Sequence, residues 1–292
     1  MRDLILDGFG NKPFHRMLVL GTHNSGYHEA VECGEGFIGN IAKEYAQCQQ
    51  LNLEGQLDYG SRSFDIRIEC DEEGKLEFFH GVCSGGRPEE EFFAMRNWLD
   101  QHPSEVVILV VRGNFDTDFG ACQTQTDELL SLFSDLAWTG DSTSWPTLEE
   151  MVMSNQRAVM IKHQSALTQL DFVRDRANLF ANSWAETQTD DPDDLVANVL
   201  AYIDQQTPAS LNVDRIWAVS FYATPDGLGP NPQQLAQSVN PRLPEVMNAL
   251  TTARDRGVYF DALRIDYAGS FTDGYDVVRA ISEYNKLLPD AR

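Results

Sequence analysis

The sequence predicts an α/β fold, a single-domain irregular (β/α)8 barrel of the TIM type, on three observations. Eight short apolar runs alternate with longer amphipathic segments, several of those runs are apolar almost throughout, and no Pro/Gly/Ser-rich linker divides residues 1–292. The runs lie at 17–21, 62–68, 76–80, 106–112, 158–162, 179–184, 217–223 and 262–267. A segment such as Val106-Val-Ile-Leu-Val-Val111 has a polar residue at neither parity, which predicts a strand covered on both faces. Helical periodicity predicts helices over 37–49, 89–101, 126–136, 147–154, 193–206, 232–256 and 274–287. Ser104 and Asp193 suit turns or caps, Pro146 stands before the Leu148 helix, and Gly257 follows the helix ending at Arg256. Pro241 and Pro244 divide the 232–256 segment in two. A doubly wound open sheet is the alternative architecture.

Charge narrows the function classes. Lys and Arg total 22 against 45 Asp and Glu, a formal net charge of −23. Such a surface repels polyphosphate and argues against nucleic-acid binding. It also opposes broad docking on anionic membranes. The longest apolar stretch is far shorter than a membrane span. The acidic segment at 187–194 reads as a solvated loop, since it lacks the spacing of an EF-hand.

Cysteine usage leaves two compartments open. Cys33, Cys48, Cys70, Cys83 and Cys122 contain no C-x-x-C pair, which argues against structural zinc. Pairing Cys33 with Cys48 and Cys70 with Cys83 would leave Cys122 free and imply an exported protein. Five reduced thiols would imply a cytoplasmic one. Residues 1–7 lack the pattern of a secretory leader, so the exported reading takes the chain as the mature form.

Chemistry belongs at the carboxyl ends of parallel barrel strands. Gly21-Thr-His-Asn-Ser25 runs off a strand into a tight turn and sets His23 just beyond it. In Phe64-Asp-Ile-Arg67, Asp65 and Arg67 share one strand face. Phe79-His-Gly81 ends another run with His80, and Ile265-Asp-Tyr267 places Asp266 after the last strand. Two imidazoles, a guanidinium and carboxylates suit metal-free phosphoryl transfer. One His accepts the proton of an attacking hydroxyl, the other protonates the leaving oxygen, and Arg holds the phosphate. His15, His28, His102 and His163 read as structural or surface residues.

In these motifs, together with Gln56-Leu before Gly60-Ser-Arg62 and Pro103-Ser-Glu-Val-Val-Ile-Leu109, the chain resembles the X-type catalytic domain of phosphatidylinositol-specific phospholipases C, densely over roughly residues 17–113. The resemblance implies an irregular or incomplete barrel with His23 as general base and His80 as general acid. Asp266 would partner the base, Asp65 would support the His80 side, and Arg67, with Asn24, would stabilise the phosphate. Calcium-dependent members carry acids where this chain has Arg67 and Arg112. The resemblance therefore implies the metal-independent bacterial form without a cofactor, a Ca2+ site at Asn24 and Asp65 being the alternative. The implied reaction cleaves phosphatidylinositol to diacylglycerol and inositol 1,2-cyclic phosphate. Strand-end placement and family analogy offer Arg112, Lys162 and Asn182 for inositol hydroxyls and Trp184 and Tyr222 for its ring face. The expected partner is an inositol phospholipid in a membrane or micelle, met transiently by a monomer. Cleavage of another headgroup, such as a glycosylated inositol anchor, and a catalytically idle inositol-phosphate-binding barrel are the competing readings.

Overall fold

The computed structural model of the chain describes residues 8–29, 32–33, 42–114, 119–141, 145–164, 166–209, 215–224 and 229–291. Its sheet contains β1 (Val19–Thr22), β2 (Ser61–Cys70), β3 (Leu76–His80), β4 (Cys83–Ser84), β5 (Val107–Gly113), β6 (Ala158–Lys162), β7 (Arg174–Asp175), β8 (Phe180–Asn182), β9 (Ile216–Phe221) and β10 (Ala262–Ile265). Eight of these run in the order β7-β6-β5-β2-β1-β10-β9-β8, each parallel to its neighbours. The sheet curls so far that side chains from β2, β5, β8 and β10 line one cavity. Among the described residues no ladder joins β7 to β8, so the barrel is incomplete.

One predicted barrel strand has a different place. The 76–80 run is β3, which pairs antiparallel with the end of β2 and continues into β4. It forms a hairpin that carries His80 at its end rather than a stave of the wall. The eighth parallel strand is β7, whose two polar residues are too few to show any period.

The helices are α1 (Leu53–Tyr59), α2 (Pro88–Gln101), α3 (Gln123–Ser131), α4 (Leu148–Met153), α5 (Arg176–Leu179), α6 (Pro192–Gln205), α7 (Pro232–Val239), α8 (Leu243–Asp255) and α9 (Val277–Lys286). Their starts follow local chemistry. Pro88 and Glu89 to Glu91 occupy the first turn of α2, where an N–H is dispensable and negative charge meets the positive end of the helix. Capping boxes open α4 (Thr147 with Glu150) and α7 (Asn231 with Gln234). A 3-10 turn with Pro241 separates α7 from α8, as the prolines predict. Of the 37–49 segment, 42–46 is helical and 47–49 is not, while 37–41 lies outside the described residues. The departure at Gln47 is required, because the carbonyl of Cys48 accepts the N–H of Tyr267 under the barrel mouth.

Apolar packing fills both faces of the sheet. On β2, Phe64, Ile66 and Ile68 join Val107, Leu109 and Val111 of β5 and Phe92 and Leu99 of α2 on the convex side. The other parity of β2, with Ser63, Asp65 and Arg67, faces the barrel interior, and all three are buried. Disulfides differ from the expected pairs: Cys33 bonds Cys83, Cys70 bonds Cys122, and Cys48 is free and buried. Strand pairing explains this. Cys70 lies opposite Leu76 in the hairpin, which carries Cys83 away to β4, where Glu32 bridges Ser84 and brings Cys33 alongside.

Candidate active site

Every residue of Gly21-Thr-His-Asn-Ser25 has a mechanical task. A Cβ on Gly21 would lie 2.8 Å from Cγ of Arg264, so glycine makes room for that side chain to cross the barrel. The Thr22 and Ser25 hydroxyls are hydrogen-bonded to each other at 2.7 Å. Ser25 Oγ also accepts the Asp65 N–H at 2.8 Å, and the Ser25 N–H donates to the Asp65 carbonyl at 2.7 Å. Asn24 takes a left-handed φ of 43°, which asparagine tolerates better than most residues. His23 thereby projects from a turn fastened to β2 on one side and to β10 on the other.

Around His23 the side chains form a continuous network. Its Nδ1 lies 2.8 Å from Asp266 Oδ1, and its Nε2 lies 2.7 Å from Arg67 Nη2. Because the guanidinium can only donate, Nε2 holds a lone pair. The ring proton therefore sits on Nδ1 and points at Asp266. Arg67 also donates from Nη2 and Nε to Asp65 Oδ2, at 3.0 and 3.2 Å, and the Asn24 N–H donates to the same oxygen. The Tyr222 ring stacks on His23 with centroids 3.8 Å apart and planes 7° from parallel. Gln49 donates from its amide to the carbonyls of His23 and Ile265 and accepts the Ala268 N–H, joining β1 to β10 beneath the site.

His80 faces His23 edge-on, with ring centroids 6.0 Å apart and planes at 87°. Its Nδ1 donates to the Ala46 carbonyl at 2.8 Å, and Cys48 Sγ lies 3.6 Å from the same nitrogen. Asp65 does not contact His80; its hydrogen bonds go to Arg67 and Asn24. The expected support of the His80 side is thus supplied by a backbone carbonyl, with Asp65 acting on His80 only through its field.

Burial sets the protonation states. It pushes the His80 imidazole down to about 4, helped by Arg67, and holds His23 well below the usual histidine range. It raises the Asp266 carboxyl, against the pull of Arg67. Burial also pushes Asp65 upward, but Arg67, with Arg264, His23 and Arg112, overrides it and holds that carboxyl well below the ordinary range. The Cys48 thiol is raised by burial, so it stays protonated.

The mouth beside this network gathers Arg112, His163, Arg176, Asn182, Trp184 and Arg264. Trp184 is 52% exposed at the rim. Asn182 Oδ1 accepts from Arg176 Nη2 at 3.0 Å. Two expectations fail here. Lys162 lies on the convex parity of β6 with Ala158 and Met160 and donates to the Thr168 carbonyl at 2.8 Å, away from the mouth. The next position, His163, follows Val159 and Ile161 to the concave side and lines the mouth, so it is not a bystander. Tyr222 reaches the mouth, yet its ring face is covered by His23.

Calcium does not fit these residues. Asp65 Oδ2 is already occupied by three N–H donors, a fixed guanidinium stands where a cation would lie, and the Asn24 amide points to Cys48. Among the described residues the donor atoms of His23, Cys48 and Asp266 lie within 4.8 Å of one another, a nitrogen–sulfur–oxygen set unlike the oxygen cage that calcium takes.

A family model of the PI-PLC X domain (PI-PLC X 1) matches residues 11–199, more than half of the chain. The chain belongs to the PI-PLC X family. A PI-PLC X domain-containing protein 1 from Arthroderma benhamiae is 26% identical over 180 residues, covering 57% of this chain and 53% of that protein. The human PI-PLC X domain-containing protein 1 is 37% identical over 79 residues, covering 26% of this chain and 24% of that protein. The chain thus spans about half the length of the first relative and about a quarter of the second. In fold it is similar to the phosphatidylinositol-specific phospholipase C of Listeria monocytogenes, with a TM-score of 0.72 at 18% identity over 95% of this chain and 96% of that one. The corresponding Staphylococcus aureus structure gives 0.70 at 18% identity over 97% of both chains. Both likenesses support the PI-PLC barrel read from the strand order.

Proposed function

We propose that this chain is a metal-independent phosphatidylinositol-specific phospholipase C of the lyase type. One observation carries the reading: a buried imidazole, His23, and a half-buried one, His80, face each other edge-on, and the Arg67 guanidinium sets its Nη2 on Nε2 of His23. In the unliganded site Arg67 caps the lone pair of the base. An arriving phosphodiester competes for that guanidinium and draws it onto the non-bridging oxygens, which frees Nε2. His23 then takes the proton of the inositol 2-hydroxyl, and that oxygen attacks phosphorus. Asp266 accepts the hydrogen bond from Nδ1 and supports the imidazolium. As the bond from phosphorus to the glycerol oxygen breaks, protonated His80 delivers the Nε2 proton to that oxygen. Inositol 1,2-cyclic phosphate and diacylglycerol leave, and the proton gained by His23 balances the one lost by His80. The bound phosphate's negative charge offsets Arg67 and raises His80 toward protonation, so the substrate helps to charge its own acid.

The whole of residues 1–292 would act as one domain and one monomer at a lipid surface. Cys33–Cys83 and Cys70–Cys122 support an exported protein. The test of the reaction is phosphorus NMR on phosphatidylinositol micelles with excess chelator and, separately, with calcium. A cyclic phosphate resonance growing at equal rates in both is expected. Turnover only with calcium would restore Asn24 and Asp65 as ligands and refute the role given to Arg67.

A further inference from the structure

We infer that His23, Cys48 and Asp266 form an inhibitory site for a thiophilic divalent cation of the zinc type. The inference rests on the proposed reaction and adds a regulation of the same site. A ring nitrogen of His23, the Cys48 sulfur and a carboxylate oxygen of Asp266 all lie within 4.8 Å of one another. Ligand atoms around a tetrahedral zinc stand roughly 3.3–3.6 Å apart. The imidazole and the carboxylate already meet at 2.8 Å. Forming the site therefore asks that pair to part slightly and the thiol to draw in by roughly 1 Å.

The donor set decides which ion fits. Sulfur together with nitrogen selects zinc-class ions over calcium and magnesium, which take oxygen. Three protein ligands leave a fourth position for water, an arrangement that zinc accepts. A Cys48 thiolate and the Asp266 carboxylate match the charge of a dication, and burial of all three residues keeps it from bulk water. Arg67 stands on the other side of the His23 ring, at Nε2, with its own charge set against Asp65. The Asn24 amide donates toward Cys48 Sγ at 3.9 Å, an outer contact that steadies a metal-bound thiolate. The sulfur's other polar neighbours are as distant as weak hydrogen bonds, the Ala46 carbonyl at 3.5 Å and His80 Nδ1 at 3.6 Å.

Occupation of this site removes the base. Arg67 covers Nε2 of His23, so the nitrogen offered to the ion is Nδ1, which faces Asp266. The ion replaces the ring proton there. That proton passes to Nε2, and the thiol proton leaves to water, one proton released for each ion bound. With Nε2 protonated, His23 has no lone pair for the inositol 2-hydroxyl, and the hydrogen bond from Nδ1 to Asp266 is gone. Removing the ion reverses each of these changes.

The experiment adds zinc to the metal-free protein, wild type and Cys48→Ser, and follows cleavage of phosphatidylinositol against each protein's own metal-free rate. Zinc affinity is measured on both by calorimetry. Cadmium is titrated into the wild type in parallel, because a cadmium thiolate absorbs in the ultraviolet. The other four cysteines are held in disulfides, so such a band reports Cys48. Zinc at saturation should abolish wild-type turnover, and a chelator should restore it. Cys48→Ser should need about 100-fold more zinc or beyond, the upper end of what losing an outer-shell partner alone costs. Equal zinc sensitivity in the two proteins, or no cadmium band, would overturn the inference while leaving the reaction standing. Cleavage of no lipid by the metal-free wild type would refute the reaction, and binding would then decide the site. A cadmium band with weaker zinc binding by Cys48→Ser upholds it, and equal binding overturns it. Should Cys48→Ser not fold, Cys48→Ala takes its place, and the cadmium band on the wild type decides if neither folds.

Discussion

At the scale of single residues, division of labour between the two histidines makes distinct predictions. His23→Ala and His80→Ala should each lower kcat by about 10²- to 10⁴-fold with the fold retained by circular dichroism. Arg67→Lys should also fail, because a point charge cannot hold Asp65 and a phosphate as a planar fork does. The free enzyme holds His80 near about 4, and the acid must carry a proton. Hence kcat/KM should fall as pH rises above that region, whereas the alkaline limb of kcat should lie at higher pH once bound phosphate supports the imidazolium. Coincident limbs in the two profiles would remove the substrate-assisted charging of His80. The catalytic motifs were legible in sequence because each is compact and sits at a strand end. His163 was not, since its place follows from the parity of β6, whereas strand-end placement and family analogy point to Lys162 without reading that parity. Nor could Gln49 and Cys48 be read there, because their contacts with the site span chain separations that no local pattern encodes.

At the scale of elements, the hairpin that carries His80 depends on more than its ladder. Cys33–Cys83 fastens β4, whereas Cys70–Cys122 ties the end of β2 to the start of α3. Removing either bridge should cost about 2–5 kcal/mol, read from denaturant midpoints. Only the Cys33→Ser/Cys83→Ser pair should lower kcat beyond what the stability loss explains. Equal kcat in both double variants would show that β4 does not position the acid. Gly21→Ala should destabilise by about 1–3 kcal/mol, since its Cβ meets Arg264 and Ser63. Parallel strands β2, β5 and β6 were legible as apolar runs. The helix α1 was missed because its seven residues are too few for a clear period, although Asn52 caps it and Gln56 donates to the Ser25 and Leu51 carbonyls.

For the whole molecule, charge and half-buried imidazoles dominate the response to conditions. His80 and His163 both sit near about 4 in the folded chain, below the ordinary histidine value of roughly 6.5. Between those values the unfolded chain binds more protons, so stability should fall as pH drops from about 6.5 toward 4 and stay flat with respect to these groups above it. Denaturant midpoints at a series of pH values check this sign. The net charge of −23 should make turnover slower on micelles diluted with an anionic lipid than with a zwitterionic one, and added salt should narrow the gap. The barrel is legible from the alternation of runs, and its incompleteness only through the family resemblance. Closure depends on whether β7 and β8 meet, and neither two nor three residues of strand advertise a partner.

The central claim is that His23 acts on the attacking hydroxyl and His80 on the leaving oxygen. A phosphatidylinositol analogue whose glycerol oxygen is replaced by p-nitrophenolate separates the two, because that group leaves without protonation. On the analogue His80→Ala should recover nearly to wild-type kcat while His23→Ala stays deeply impaired. Equal impairment of both variants, or recovery of His23→Ala instead, would contradict the assignment.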